Sequence, residues 1–272
     1  MPNLRPISVL TIAGSDSGGG AGIQADLKTF AAHGLHGLSA IAALTAQHTR
    51  AVTAVHVPPP DFLRAQIDAC FADFHIAAVK LGMLASTEII HGVADALEAH
   101  RPAHVVLDPV MVATSGAKLL ADDALDALRT RLLPLATVVT PNIPEAELLL
   151  GRRIETDAEA EAALAQMLAE GASAVLLKGG HLPGDGEMTD RFGHGHARAV
   201  FVNPRLALEG HGTGCTLASA IAANLALGLS LREACADATD YVHGALRHAY
   251  RPGHSSVAVL QHFWRLRGDI AP

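Results

Sequence analysis

Short runs of uninterrupted apolar, β-branched residues alternate along this chain with longer stretches in which Ala and Leu recur every three or four positions. The short runs predict strands over 8–13, 38–44, 52–57, 78–81, 104–107, 137–140 and 174–177. Their near-continuous apolarity is that of strands covered on both faces. The longer stretches predict crossover helices, so the pattern is α/β with a mainly parallel sheet. Several helix starts are marked. Thr156 with Glu159 and Ser230 with Glu233 have capping-box spacing, and Ser86 precedes an apolar stripe from Ile89 to Leu97. Residues 182–203 are polar, glycine-containing and alternating, which predicts a hairpin or flap. No repeat, low-complexity tract or linker interrupts the pattern, so residues 1–272 are read as one domain.

Composition removes several function classes. Half of the residues are hydrophobic and 17% charged, enough for a large core and incompatible with a disordered chain. Twenty Lys and Arg against 27 Asp and Glu give a net charge of −7. No basic field is available for a phosphate backbone, so nucleic acid is not expected as a partner. Two uncharged stretches, 29–49 and 210–231, approach bilayer-spanning length. The first holds His33, His36, Gln47 and His48, and the second opens on a glycine-rich turn and contains Asn224, so both are read as core and no membrane association is expected. Three cysteines without a CxxC pair suit a reducing compartment, and no export signal precedes the first strand; a cytoplasmic location is expected. The 16 histidines include no HExxH, and His194 with His196 has no third ligand nearby in sequence, which disfavours zinc.

Two glycine-rich turns carry candidate chemistry. The first follows the opening strand as Gly14-Ser15-Asp16-Ser17-Gly18-Gly19-Gly20-Ala21-Gly22 and enters a helix near Ile23. Such a turn lets backbone approach a ligand closely, although a sharp turn requiring positive φ would read the same. A dinucleotide fingerprint is rejected because no acid follows at ribose distance, and a P-loop because Leu27 replaces its second glycine and places Lys28 within a helix. The second turn, Gly210-His211-Gly212-Thr213-Gly214-Cys215, precedes an Ala/Leu helix running to about Leu227. It predicts an anion hole for a moving phosphoryl group, with Cys215 at a helix start that would lower its thiol pKa and make a thiolate base. Cys215 could equally be a small buried hydrophobe, the reading given to Cys70 and Cys235.

Asp108, Asn142, Glu145 and Lys178 all fall at carboxyl ends of predicted strands, where open parallel sheets bind ligands. A carboxylate pair, an amide and an ammonium there suit a nucleotide with magnesium. Asn142, before Pro144 and Glu145, is also a good N-cap. Gln47, in an uncharged segment, offers a donor and an acceptor side by side, the pair that reads an amino group next to a ring nitrogen; a glutamine bonded to backbone is the alternative.

Seven blocks together resemble one family: AGSDSGGGAGIQADLKTF at 13–30, LTAQHT at 44–49, KLGML at 80–84, LDPVMVATSG at 107–116, TPNIPEAELLLG at 140–151, LLKGGH at 176–181 and HGTGC at 211–215. That family is hydroxymethylpyrimidine/phosphomethylpyrimidine kinase of thiamine biosynthesis, in the ribokinase-like superfamily. The resemblance implies a ribokinase-like three-layer α/β/α sandwich with a mainly parallel central sheet. It implies ATP and Mg2+ as cofactors, an aminopyrimidine substrate and a homodimer. Carried over residue by residue, Gln47 resembles the residue that bonds the aminopyrimidine, with Gly14, Asp26, Met83 and Val110 lining the same pocket. Lys178, Asn142 and Thr213 resemble the ATP contacts, and Asp108 and Glu145 the magnesium neighbourhood. Gly212, Thr213 and Gly214 resemble the anion hole, and Cys215 the base. Two departures stand out: His48 and Ala51 interrupt the family's usual AQNTxGV, and HSSVAVL at 254–260 precedes the HFW of residues 262–264.

The expected function is therefore ATP-dependent phosphorylation of 4-amino-5-hydroxymethyl-2-methylpyrimidine and then of its monophosphate. A pyridoxal kinase is the alternative enzyme, disfavoured by Gln47 with Cys215. A binding protein that keeps the pocket without the chemistry is the alternative from another class, disfavoured by Lys178, Asp108 and the intact GTGC turn.

Overall fold

The computed structural model describes residues 6–111, 120–121, 123–182 and 186–266. The part of the LDPVMVATSG block from residue 112 onward lies outside them.

Nine strands form one sheet in the order β3-β2-β1-β4-β5-β6-β7-β8-β9. These are β1 (Ser8–Gly14), β2 (His36–His48), β3 (Ala51–His56), β4 (Ile76–Leu81), β5 (Val105–Leu107), β6 (Val138–Val139), β7 (Ala174–Leu177), β8 (Glu187–His194) and β9 (Ala197–Pro204). The six strands from β2 to β7 in this order are parallel, and an antiparallel strand or hairpin continues each edge. All seven expected strands are present, and the polar segment is the β8–β9 hairpin.

Two extensions differ from expectation. β2 continues through Gln47 to His48, and β3 is an edge strand with four exposed residues rather than a covered one. Both follow from hairpin pairing: Thr45 to His48 bond β3, so backbone satisfaction carries β2 beyond its apolar core.

Helices cover both faces. On one lie α2 (Pro60–Asp73), α3 (Thr87–His100), α4 (Ala124–Ala127), α5 (Ile143–Leu150) and α6 (Asp157–Ala169), burying Ile67, Ile89, Val93, Ala146 and Leu164 against the sheet. On the other lie α1 (Gly22–Ala32), α7 (Thr213–Ala226) and α8 (Leu231–Arg247), burying Phe30, Ile221 and Tyr241. The architecture is the three-layer α/β/α sandwich. All three marked helix starts form: Ser86 caps α3, and Thr156 and Ser230 make reciprocal boxes with Glu159 and Glu233. A short parallel pair, β10 (Gly210–His211) with β11 (Ala258–Val259), brings the chain's late segment against the second glycine turn.

Strand order places β2 on one side of β1 and β4 on the other. The chain leaves β1 and β4 in opposite senses, opening a crevice at their carboxyl ends. Among the described residues no helix is long and apolar enough to cross a membrane.

Candidate active site

The first glycine turn is organised by Asp16, a buried carboxylate that sequence reading passed over. Its Oδ1 accepts the Gly18 amide at 2.8 Å, and its Oδ2 accepts the Gly20 and Ala21 amides at 2.9 and 2.8 Å. His211, from the second turn, sets Nε2 2.9 Å from the same Oδ2. Burial alone would raise this carboxyl. The hydrogen bonds from His211, Ala21 and Gly18, with the charge on His211, outweigh it and bring Asp16 down to about 2. Asp16 therefore pins both glycine turns to each other. Only glycine fits at the crossing: Gly212 has φ +86°, and a Cβ there would run into the Gly20 carbonyl.

Gln47 reaches this junction from the end of β2. Its Nε2 lies 3.3 Å from His211 Nε2, its Oε1 accepts the Thr45 hydroxyl at 3.1 Å, and its backbone exchanges 2.8 Å hydrogen bonds with the Ser17 hydroxyl. A His211 Nε2 that donates to Asp16 has no lone pair for Gln47, so the Gln47 amide N–H groups keep donor capacity for a ligand. Gly14 and Met83 meet at the ends of β1 and β4, where a Cβ on Gly14 would stand 3.0 Å from Met83 Sδ. Val110, half-buried, follows Asp108 in a tight turn, its amide donating to the Asp108 carbonyl at 2.8 Å.

The charged group lies along the ends of β5, β6 and β7. Lys178 Nζ is 3.0 Å from Asp108 Oδ1 and 3.7 Å from Glu145 Oε2, and Thr140 donates to the same Asp108 oxygen at 3.3 Å. Burial raises the Glu145 carboxyl well above the usual carboxylate range, with Lys178 opposing and Asp108 reinforcing the rise. Burial would also lower Lys178, but the charges of Asp108 and Glu145 hold it above the ordinary lysine value. Gly214 closes the group: a Cβ there would stand 3.1 Å from Lys178 Nζ and 3.4 Å from Asp108 Oδ2. The start of α7, with Gly212 as its N-cap and Thr213 at its first position, thus faces the ammonium and the carboxylates directly. Asp190, on β8, accepts the Gly179 amide at 2.9 Å and fixes the turn behind Lys178. Burial pushes its carboxyl up to about 6.

Three expectations need restating. Asn142 is an N-cap: its Oδ1 accepts the Glu145 amide at 2.8 Å while Glu145 Oε2 accepts the Asn142 amide at 2.8 Å. That box commits one oxygen of each side chain to α5, leaving the other Glu145 oxygen and the Asn142 amide nitrogen for a ligand. Cys215 does not have a lowered thiol. It is part-buried, and desolvation pushes it up to about 11, although Lys80 and the Gly22 amide pull the other way. A helix N-terminus lowers a thiol only when burial does not cost more. Asp26 has no exposed surface and does not line the crevice. Its Oδ2 accepts Thr11 at 2.6 Å and Lys80 at 3.0 Å, and its Oδ1 accepts Ser219 at 2.7 Å. Among the described residues no cluster of three or more His, Cys, Asp or Glu could by itself hold a metal.

A glycine-lined crevice at a switch point, with one ammonium, two carboxylates and a helix start converging on it, carries the kinds of group that phosphoryl transfer requires, and the fold around it is that of the ribokinase-like kinases. The S. aureus pyridoxal kinase in complex with AMP-PCP and pyridoxal superimposes with a TM-score of 0.87 at 32% identity, over 97% of this chain and 96% of that one. Phosphomethylpyrimidine kinase from Clostridium difficile 630 gives 0.79 at 42% identity, over 88% and 99%.

Residues 16–260 match the family model for phosphomethylpyrimidine kinase, and the chain belongs to that family. The hydroxymethylpyrimidine/phosphomethylpyrimidine kinase of Rhizobium meliloti is 50% identical over 262 residues, covering 94% of this chain and 98% of that one. The thiamine biosynthesis bifunctional protein ThiED of Geobacter sulfurreducens is 52% identical over 243 residues, and the match spans 49% of its length.

Proposed function

We propose that the protein transfers the γ-phosphoryl group of ATP to the hydroxymethyl group of 4-amino-5-hydroxymethyl-2-methylpyrimidine, and then a second phosphoryl group to the resulting monophosphate. The observation that carries this reading is the junction of the two glycine turns. Asp16 and His211 pin the two turns together, Gln47 reaches that junction from the end of β2, and the residues that follow His211 face Lys178 and Asp108. Family membership supplies the acceptor class.

In this reading Gln47 donates to the pyrimidine while Gly14 and Met83 form the floor beneath it. Lys178 neutralises the triphosphate, and the amides of Thr213, Gly214 and Cys215 face charge that shifts onto the moving group. Asn142 and Thr213 border the nucleotide. Asp108 and the free oxygen of Glu145 fit a hard divalent cation that keeps most of its ligands from water and phosphate, as Mg2+ does. Such an ion would supply charge neutralisation for the triphosphate. Cys215 is the candidate acceptor of the hydroxyl proton, working from the small thiolate fraction that its raised pKa allows.

Mass spectrometry of products from ATP, magnesium and the pyrimidine alcohol, with pyridoxal run in parallel, tests the reading. Mono- and diphosphorylated pyrimidine are expected. Phosphopyridoxal alone would replace the acceptor, and no ADP with either would leave only binding. A homodimer is also expected, supported by the exposed Leu44, Val55 and Val57 on and beside the β2–β3 hairpin; light scattering that returns a single chain's mass would remove it.

A further inference from the structure

Among the described residues, the Lys80–Asp26 pair is the one fully buried ion pair near the crevice that the reaction as described does not use. Both side chains have no exposed surface. Asp26 lies on α1 four residues after Gly22, and Ser219 lies on α7 four residues after Cys215, so each sits one turn below that residue on the same face of its helix. Ser219 donates to Asp26 Oδ1 at 2.7 Å. The two helices are therefore cross-linked beneath the site. Asp26 Oδ2 then ties this cross-link to the sheet through Thr11 on β1 at 2.6 Å and Lys80 on β4 at 3.0 Å. Nothing larger than glycine fits beside the ammonium: a Cβ on Gly82 would stand 2.7 Å from Lys80 Nζ and 2.9 Å from Ala13 Cβ.

We propose that Lys80 and Asp26 are positioning residues of the transfer site: they lock the starts of α1 and α7 to the ends of β1 and β4, so that Gly22, the Gly212 turn and Cys215 face one acceptor, and they lay a buried ammonium behind the thiol. Burial pushes the Asp26 carboxyl up against the three donors that face it, while burial would lower Lys80 and the charge of Asp26 holds it above the ordinary lysine value. The charged groups that face Cys215 are Lys80 from β4, Lys178 after β7, Asp26 from α1 and Asp108 after β5, and the attraction of Lys80 is the largest of those that favour its thiolate. The inference rests on the kinase reading for its catalytic consequence but not for the arrangement itself.

Two variants separate the charge from the strut. Asp26→Asn with Lys80→Met keeps volume and lets the amide hold Thr11 and Ser219, while removing both charges; buried pairs replaced together by neutral groups of similar volume commonly keep their stability. Ser219→Ala keeps the charges and cuts the cross-link. The measurements are kcat and KM for ATP, the melting temperature, and the rate of Cys215 alkylation by iodoacetamide at fixed pH, mapped by peptide mass. The double variant is expected to lose roughly 10- to 100-fold in kcat with KM for ATP unchanged, and to alkylate Cys215 more slowly, because the attraction of Lys80 for the thiolate exceeds the repulsion of Asp26 that is lost with it. Ser219→Ala is expected to lose a few-fold in kcat and carries the test if the double variant does not fold. Wild-type kcat and alkylation in a folded double variant, or wild-type kcat in Ser219→Ala when only that variant folds, would overturn the proposal. Faster alkylation would also overturn it, because simple loosening exposes the thiol. Alkylation needs no substrate, so a wild-type protein inactive on the pyrimidine would refute the kinase reading while leaving this test intact.

Discussion

Asp16→Asn removes one buried charge from the point where the two glycine turns meet. The wild-type carboxyl is held at about 2 against an ordinary 3.8. At about 1.4 kcal/mol per pH unit, the difference is worth about 2.5 kcal/mol of folding stability near neutral pH. The amide must also choose an orientation. Oδ2 accepts three donors and Oδ1 one, so the asparagine oxygen takes the Oδ2 place and its NH2 is turned toward the Gly18 amide. A donor then faces a donor, which adds about 1 kcal/mol or more. The variant should therefore lose about 3.5 kcal/mol in urea unfolding at pH 7. Because the folded-state value is lowered, the wild-type advantage is present above pH 3.8 and is lost as pH falls toward 2. The gap between the two proteins should be constant from pH 7 to 5 and shrink by pH 3. KM for the acceptor should also rise, since His211 loses its anchor beside Gln47. A gap unchanged between pH 7 and pH 3, or a variant as stable as wild type, would refute the assignment of Asp16 as the ionised pin of both turns.

Gln47→Leu should cut kcat/KM for the pyrimidine by at least about tenfold with nucleotide affinity little changed, because the pyrimidine acceptor that the Gln47 amide meets goes unmatched once enclosed; unaltered pyrimidine kinetics would remove Gln47 from the pocket. Lys178→Ala should lower kcat by about 10² or more while the melting temperature holds, since Glu145, already shifted upward, can take a proton when the ammonium is gone. A collapse of stability with normal kcat per folded molecule would make Lys178 structural. Cys215→Ala should lose about 10²-fold in kcat and keep ATP binding, and wild-type kcat should climb with pH between 7 and 9 because the thiol is pushed up to about 11. A flat profile together with near-wild-type kcat in Cys215→Ala would show that the thiol is not the base. Cys215→Asp should recover part of the rate, less with the phosphorylated acceptor, whose charge the aspartate repels.

Local patterns in the chain determined the layers and most of the element starts. Apolar runs marked the covered strands, and the boxes at Thr156 and Ser230 formed as their spacing required, because capping is settled within four residues. The placement of Asp108 and Lys178 at strand ends was legible for the same reason: a polar group that terminates an apolar strand emerges at the sheet edge. What each side chain touches was not legible. Asp16 meets His211 across 195 residues and Asp26 meets Ser219 across 193, so only the packing of α1 on α7 decided that one carboxylate pins the glycine turns and the other is sealed beneath them. Cys215 shows the limit most directly. Its helix start could be read from the sequence and argued for a lowered thiol, but burial is a tertiary quantity, and its desolvation outweighed the helix amides and Lys80 together.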